Sequence, residues 1–424
     1  MRRVLLIAFH YPPFGTSSGV QRTLSFSIHL RRYGWQPYVL TVRPEVFERS
    51  SPDQLHDIPD DVEVRRTTAL DAARHLAIRG RYWSHLALPD RWSSWWLSAV
   101  PAGFRLIKKA QIDVIWSTYP IATAHRIGAT LARLSRRPWV ADFRDPMVEW
   151  VPATGRVFPA NPALRKARLD VESRAVRDAG RLVFCTEGAR DIVLARYPLL
   201  DPARTAVISN GYEEQAFQAA VAARRPADTS DRRVLLHSGT VYLGPDRDPT
   251  AVMQAVRRLA DLGILAPDNF ELRLRDPSNE EALKKMAKGF GVESMISILP
   301  PLPYRDALAE MLSADGLLLL QGENSNPAVP AKLYEYLRAR RPILACAHAE
   351  GETARTLRKL GISTIAPLTD VLSIGSLLQR WIDNDESILK ELPNQESIAA
   401  FSREHLAAAL ATVLADLSAK QVTL

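Results

Sequence analysis

The chain has 424 residues, room for two or three domains, and at 46% hydrophobic and 24% charged it excludes wholesale disorder. No apolar run reaches the ~18 residues of a membrane span, and two cysteines, Cys185 and Cys346, both in apolar strand-like runs, exclude a disulfide framework. The net charge of +8 is uneven: residues 1–220 hold 31 Lys+Arg against 21 Asp+Glu and the remainder 24 against 26, so the first half either meets an anionic partner or carries a solubilising surface.

The chain opens on “MRRVLLIAFHYPPFG”. Its apolar run is short, ends in His-Tyr-Pro-Pro and lacks a small-residue cleavage site, so it reads as a buried first strand of a cytoplasmic protein and not as a signal peptide. “VQRTLSFSIHLRRYG” reads as an amphipathic helix stopping at Gly34. The strands “QPYVLTV”, “DVIWSTY”, “PWVADF”, “GRLVFCT” and “TAVISNG” follow, with helices such as “ATAHRIGATLARLSR” between them. Short apolar runs alternating with helices predict an α/β chain with a parallel, doubly wound sheet.

The segment 79–109 places Trp83, Trp92, Trp95 and Trp96 among basic residues. That is the composition of a monotopic membrane contact, but helical spacing of aromatics favours a subcore over the first sheet.

After Gly211, “YEEQAFQAAVAARRPADTSDRR” is polar and reads as an interdomain connection. Alternation then resumes with “RVLLHSG”, “FELRLR”, “MISILPPL”, “GLLLLQG” and “PILACA” as strands. The expected division is 1–212, 213–395 and a terminal helix over 396–424. Two open sheets in one chain predict a cleft at the carboxyl ends of their strands.

Four stretches could carry chemistry. In “FHYPPFGTSSGVQRTLSF”, Gly15 and Gly19 allow close backbone approach before a helix N-terminus; the spacing is not G-x-G-x-x-G, which disfavours a nicotinamide dinucleotide. “ADFRDP” clusters Asp142, Arg144 and Asp145 at a strand end, where carboxylates beside a guanidinium can orient a hydroxyl. “LLHSGTVYLGPDRDP” is strand, glycine loop, then helix; Gly239 and Gly244 loosen the loop, and Arg247 suits a diphosphate. Its Asp-Arg-Asp matches a metal-binding D-x-D spacing, a short pattern in the wrong context. “PAVPAKLYEYLRARRPILA” places Pro330 in a helix first turn, with Lys332 at the anion-binding end and Glu335 one turn on, where a carboxylate can accept from ribose hydroxyls. The alternative, an i,i+3 ion pair, is worth a few tenths of a kcal/mol.

In this order the motifs, with “VISNGYEEQAF” at the crossing and “FSREHLAAAL” in the last helix, resemble glycosyltransferase family 4 over essentially the whole chain. The resemblance implies a GT-B fold, with two Rossmann-like domains facing a cleft and a terminal helix crossing back to the first. It implies retaining, metal-independent transfer from a nucleotide sugar. Gly19, Gly239, Thr240, Arg247, Val329, Lys332, Leu333 and Glu335 would then bind the donor. Arg247 and Lys332, with Arg144 and Asp145, would carry catalysis, and His10, Asp142 and Asp145 would face the acceptor. That acceptor is expected to be a glycan or lipid-linked glycan of bacterial surface polysaccharide synthesis, with an anionic inner-leaflet surface as a further partner and no nucleic acid. Pro327 stands where the family often has a first glutamate, and Arg275 where it commonly has glycine. A sugar-nucleotide epimerase of the same architecture and a catalytically silent nucleotide-sugar-binding protein are the competing readings.

Overall fold

A computed structural model gives the architecture. It describes residues 1–422 except 16–17, 49, 52–53, 78, 80, 152–154, 223–231, 242 and 245. The chain forms two compact units: Met1–Trp150 with Gly155–Asn210 and Arg403–Leu424, and Gly211–Ser402 with the short piece Val151–Thr154.

The strands of the first unit's main sheet are β1 (Arg2–Ile7), β2 (Trp35–Val42), β3 (Glu63–Thr67), β4 (Val114–Thr118), β5 (Trp139–Arg144), β8 (Arg181–Phe184) and β9 (Thr205–Val207). They pair in the order β3-β2-β1-β4-β5-β8-β9, all parallel. Strands β4 and β5 are buried at every residue, as expected of strands covered on both faces. Alternation along β1 sends Leu5 and Ile7 to one core and Val4 and Leu6 to the other. The second core is closed by the terminal helix Arg403–Val422 through Leu406, Leu410, Leu414 and Leu417. Gly180 matches this closure, since a Cβ there would collide with the Leu417 side chain.

A two-stranded sheet pairs β6 (Glu149–Val151) with β7 (Arg156–Phe158). The second unit's sheet contains β10 (Arg233–Ser238), β11 (Phe270–Arg275), β12 (Ile296–Leu299), β13 (Gly316–Gln321), β14 (Ile343–Ala347) and β15 (Ile365–Ala366). Their order is β12-β11-β10-β13-β14-β15, again parallel throughout.

Two expectations change. The last segment is not one long helix: Gln395–Ala399 is a short helix, and Arg403–Val422 follows after a break. Phe401, in that break, packs on Tyr334 of the second unit at 5.1 Å between ring centroids, whereas Arg403 donates to Gln21 of the first. The polar connection contains the helix Glu214–Ala222, whose Phe217 lies in the second unit's core and whose Glu214 takes both hydrogen bonds of Arg338. Residues 223–231 of that connection lie outside the described residues. Of the clustered tryptophans, Trp95 is fully buried, and Trp92 and Trp96 pack against the first core. Trp83 alone stands out, 74% exposed. Both cysteines are buried free thiols, and burial pushes that of Cys185 up to about 11 and that of Cys346 up to about 12.

Candidate functional site

In the second unit, β10 runs between β11 and β13 and ends at Ser238. The Ser238 backbone N–H donates to the Tyr336 hydroxyl at 3.0 Å, tying the strand end to the helix Lys332–Ala339. The chain then turns at Gly239, with φ +97°, in the left-handed region that favours glycine. The same glycine admits a neighbour: a Cβ there would lie 3.4 Å from Lys332 Nζ.

Leu333, Tyr336 and Leu337 bury the core face of that helix, leaving Lys332 and Glu335 half-buried. The two do not form the simple ion pair that their spacing allows; each side chain takes a partner elsewhere. Lys332 Nζ lies 3.0 Å from His237 Nε2, and His237 Nδ1 lies 2.9 Å from the Leu318 carbonyl on β13. A carbonyl only accepts, so Nδ1 carries the imidazole proton and Nε2 accepts from lysine. Burial, then the cations Lys332 and Arg247, hold His237 neutral, with its pKa well below the ordinary value. Burial, then Arg247, pull Lys332 down to about 7, against the opposing pull of Glu335 and Asp276.

Arg247 Nη1 donates to the Thr240 carbonyl at 3.4 Å. Gly239, Thr240, Arg247, Lys332 and Glu335 are thus linked around one strand end. The Glu335 carboxylate accepts from the Tyr304 hydroxyl at 2.8 Å, which fixes its direction. Val329 and Leu333 are at this end of the unit in sequence, but their side chains are spent in its core.

Two further features noted in the sequence have internal partners. The Asp248 carboxylate accepts from the Thr250 N–H at 2.9 Å at the start of the following helix, and the Asp246 carboxylate accepts from Ser325 Oγ at 3.5 Å. Arg275 is clamped by Glu310 at 2.8 Å through both Nε and Nη2, which makes it an internal strut. His237, Tyr304 and Tyr336 were not singled out from sequence. The histidine in “LLHSG” was the one visible signal, a polar residue inside an otherwise apolar strand.

In the first unit, Arg144 sits at the end of β5 with φ +59°, just before Asp145. Its Nη1 donates to the Tyr119 carbonyl at 3.4 Å. His10 follows β1, stacks on Phe14 at 4.3 Å, and is lowered to about 3 by burial and then by the Arg144 charge. Burial raises Asp145, against the attraction of Arg144 and Arg22. His10, Arg144 and Asp145 are therefore electrostatic neighbours.

Asp142 is withdrawn from the acceptor side. It is completely buried, receives Arg22 Nε at 2.8 Å and Nη2 at 3.0 Å, and accepts from Thr118 Oγ1 at 3.0 Å. Its oxygens are committed to an internal ion pair that joins β4, β5 and the helix Ser18–His29. Gly19 lies buried in the first turn of that helix, while residues 16–17 of its loop lie outside the described residues.

Residues 19–211 match the family described as “Glycosyl transferase 4-like domain”. The first unit carries a family-4-like glycosyltransferase domain. The match stops where the second unit begins, and no curated protein matches the chain in sequence. Solved structures extend the likeness in fold over the whole chain. Anabaena Alr3699/HepE in complex with UDP superposes with a TM-score of 0.67 at 15% identity, covering 98% of this chain and 100% of that one. Sucrose-phosphate synthase from Thermosynechococcus elongatus gives 0.66 at 16%, covering 99% and 100%. A Listeria monocytogenes protein named for UDP-N-acetylglucosamine 2-epimerase activity gives 0.58 at 14%, covering 96% and 94%. At these identities the shared property is the fold, which is GT-B, with two parallel sheets and a last helix that returns to the first unit. Among the described residues, no helix is long and apolar enough to cross a membrane.

Proposed function

We propose that the protein transfers a sugar from a nucleoside diphosphate sugar to an acceptor hydroxyl with retention. The observation that carries this reading is the cation pair Arg247 and Lys332 beside the Gly239 turn, with Glu335 one helical turn further on, held by Tyr304. Two cations, Lys332 at a helix start and Arg247 from the loop beside it, suit a diphosphate, and a fixed carboxylate one turn further on suits the ribose diol. Positive charge beside the departing diphosphate stabilises the transition state without a metal ion. Arg144, Asp145 and His10 are the groups of the first unit that would meet the acceptor. The bound UDP of the Anabaena neighbour makes uridine diphosphate sugars the first donors to test.

The acceptor in this reading is a glycan, lipid-linked at the inner leaflet. The basic first half supports it, as does the exposure of Trp83, Leu70 and Leu97. A sugar-nucleotide epimerase is the second reading, favoured only by the epimerase-named neighbour of the same fold.

The test is incubation with a panel of nucleotide sugars, with and without a lipid-linked acceptor, in a chelating buffer, with products read by mass spectrometry and anomeric proton NMR. Acceptor-dependent release of nucleoside diphosphate with the donor's anomeric configuration retained is the expected result. Acceptor-independent inversion at a ring carbon would select the epimerase, and an inert but saturable nucleotide complex would select the silent binder.

A further inference from the structure

The strands of the second sheet end in the spatial order β12-β11-β10-β13-β14-β15. Tyr304, which holds Glu335, begins the helix after β12, and Gly239, Thr240 and Arg247 follow β10. Lys332 reaches the Gly239 turn from the helix between β13 and β14. Two polar side chains further along the same edge have no task so far. Glu323 stands two residues after β13, and His348 directly follows β14.

Glu323 is on a pinned loop. On one side, Gly322 N–H donates to the Asp246 carbonyl at 2.5 Å, which ties the loop to the residue next to Arg247. On the other, the Asn326 carbonyl accepts from Glu352 N–H at 2.8 Å, and the Ala328 carbonyl from Thr353 Oγ1 at 3.3 Å. The loop backbone is thus held from both sides, while the Glu323 side chain stays 54% exposed.

His348 has a defined tautomer. Its Nδ1 accepts from the Glu350 backbone N–H at 3.3 Å, and a backbone N–H only donates, so the imidazole proton is on Nε2. That nitrogen lies 3.7 Å from Glu323 Oε1. The separation exceeds the ~2.7–3.2 Å of a direct hydrogen bond, so the donor and the acceptor are neighbours that do not saturate each other. Such a pair matches adjacent oxygens of a sugar ring, one hydroxyl donating to the carboxylate and its neighbour accepting from the imidazole. Pro327, on the same loop, brings no polar side chain.

A nucleotide sugar is linear in the order nucleoside, diphosphate, sugar. With the ribose at Glu335 and the diphosphate at Arg247 and Lys332, the sugar continues along the strand ends toward β13 and β14. We propose that Glu323 and His348 select the donor's sugar, the carboxylate accepting from a ring hydroxyl and Nε2–H donating to the adjacent ring oxygen. This role rests on the nucleotide-sugar reading of the same site.

The test is calorimetry on the full-length protein with UDP-glucose, UDP-galactose, UDP-N-acetylglucosamine and GDP-mannose, each beside its free nucleoside diphosphate. The wild type is expected to prefer one sugar. Glu323→Gln should weaken that nucleotide sugar about tenfold and flatten the preference, and His348→Phe should weaken it about threefold. Affinity for the free nucleotide and the thermal midpoint should not change in either variant. Equal losses for the nucleotide sugar and the free nucleotide overturn the sugar-selecting role and leave the donor reading standing. So does unchanged binding of the nucleotide sugar in both variants. Failure of every nucleotide to bind the wild type overturns the donor reading, and the role of this pair with it.

Discussion

Lys332 Nζ stands 3.0 Å from His237 Nε2, and the ring is locked in the accepting tautomer by the Leu318 carbonyl. The lysine is thus aimed by a neutral group and not neutralised by a carboxylate. Its charge remains available, and its pKa of about 7 makes that charge responsive to whatever binds beside it.

Nucleotide binding should therefore take up a proton. A diphosphate next to Lys332 returns its pKa toward the ordinary lysine value of ~10.4, so uptake occurs between pH 7 and that value and vanishes below pH 6, where the lysine is already charged. Affinity should fall as pH rises above 7. Calorimetry with UDP in buffers of different ionisation enthalpy at pH 8 measures the uptake; Lys332→Met should abolish it.

Replacing His237 by Phe keeps the bulk but removes the acceptor. The expected loss is about 1.5–3 kcal/mol of transition-state stabilisation, roughly 10- to 100-fold in kcat/KM, while thermal stability changes little. His237→Gln, which keeps an acceptor, should recover part of it. Steady-state kinetics on the two variants separates aiming of the lysine from simple packing.

Glu335→Ala should weaken nucleoside diphosphate binding by ~1.5–3 kcal/mol, and Tyr304→Phe by less, because it only unpins the same carboxylate. Binding of inorganic pyrophosphate should be unaffected in both, since the ribose is absent. Calorimetry that finds equal losses for UDP and pyrophosphate would remove Glu335 from the ribose subsite.

The Arg22–Asp142 pair is fully buried and doubly hydrogen-bonded. Asp142→Ala leaves the guanidinium uncompensated and should cost ~3–5 kcal/mol in urea unfolding. Arg22→Met with Asp142→Leu removes both charges and should recover much of that loss. An acceptor-binding role for Asp142 would instead show as lost activity at unchanged stability.

Vesicles test the exposed aromatic edge. Flotation with anionic liposomes should weaken with added salt and with Trp83→Ser, whereas Trp95→Ser should mainly lower stability because Trp95 is in the core.

The central strands were legible because parallel strands buried on both faces are written as unbroken apolar runs, as in “GLLLLQG” and “DVIWSTY”. Edge strand β3, “EVRRT”, was not, since a half-exposed strand with three charged residues has no such run. The break at 400–402 was hidden because helical periodicity continues across it on both sides. At the site, Lys332 and Glu335 were visible from their place at a helix start. Their true partners, His237 and Tyr304, are 95 and 31 residues away, and no local pattern connects them. Asp142 misled because a strand-end carboxylate reads the same whether it faces a ligand or an arginine from another element.

The last helix gives the first unit a late-arriving part. Val4, Leu6 and Val114 face Leu410 and Leu414, which leave the ribosome some 300 to 400 residues behind them. Until then that side of the first sheet is covered only in part, by residues such as Leu24 and Phe26 of the first helix, while the second unit, whose strands run consecutively, is already complete in the chain. The first unit to be synthesised is thus the last to be finished, and a chain ending at Ser402 would lack the leucines that complete its second core.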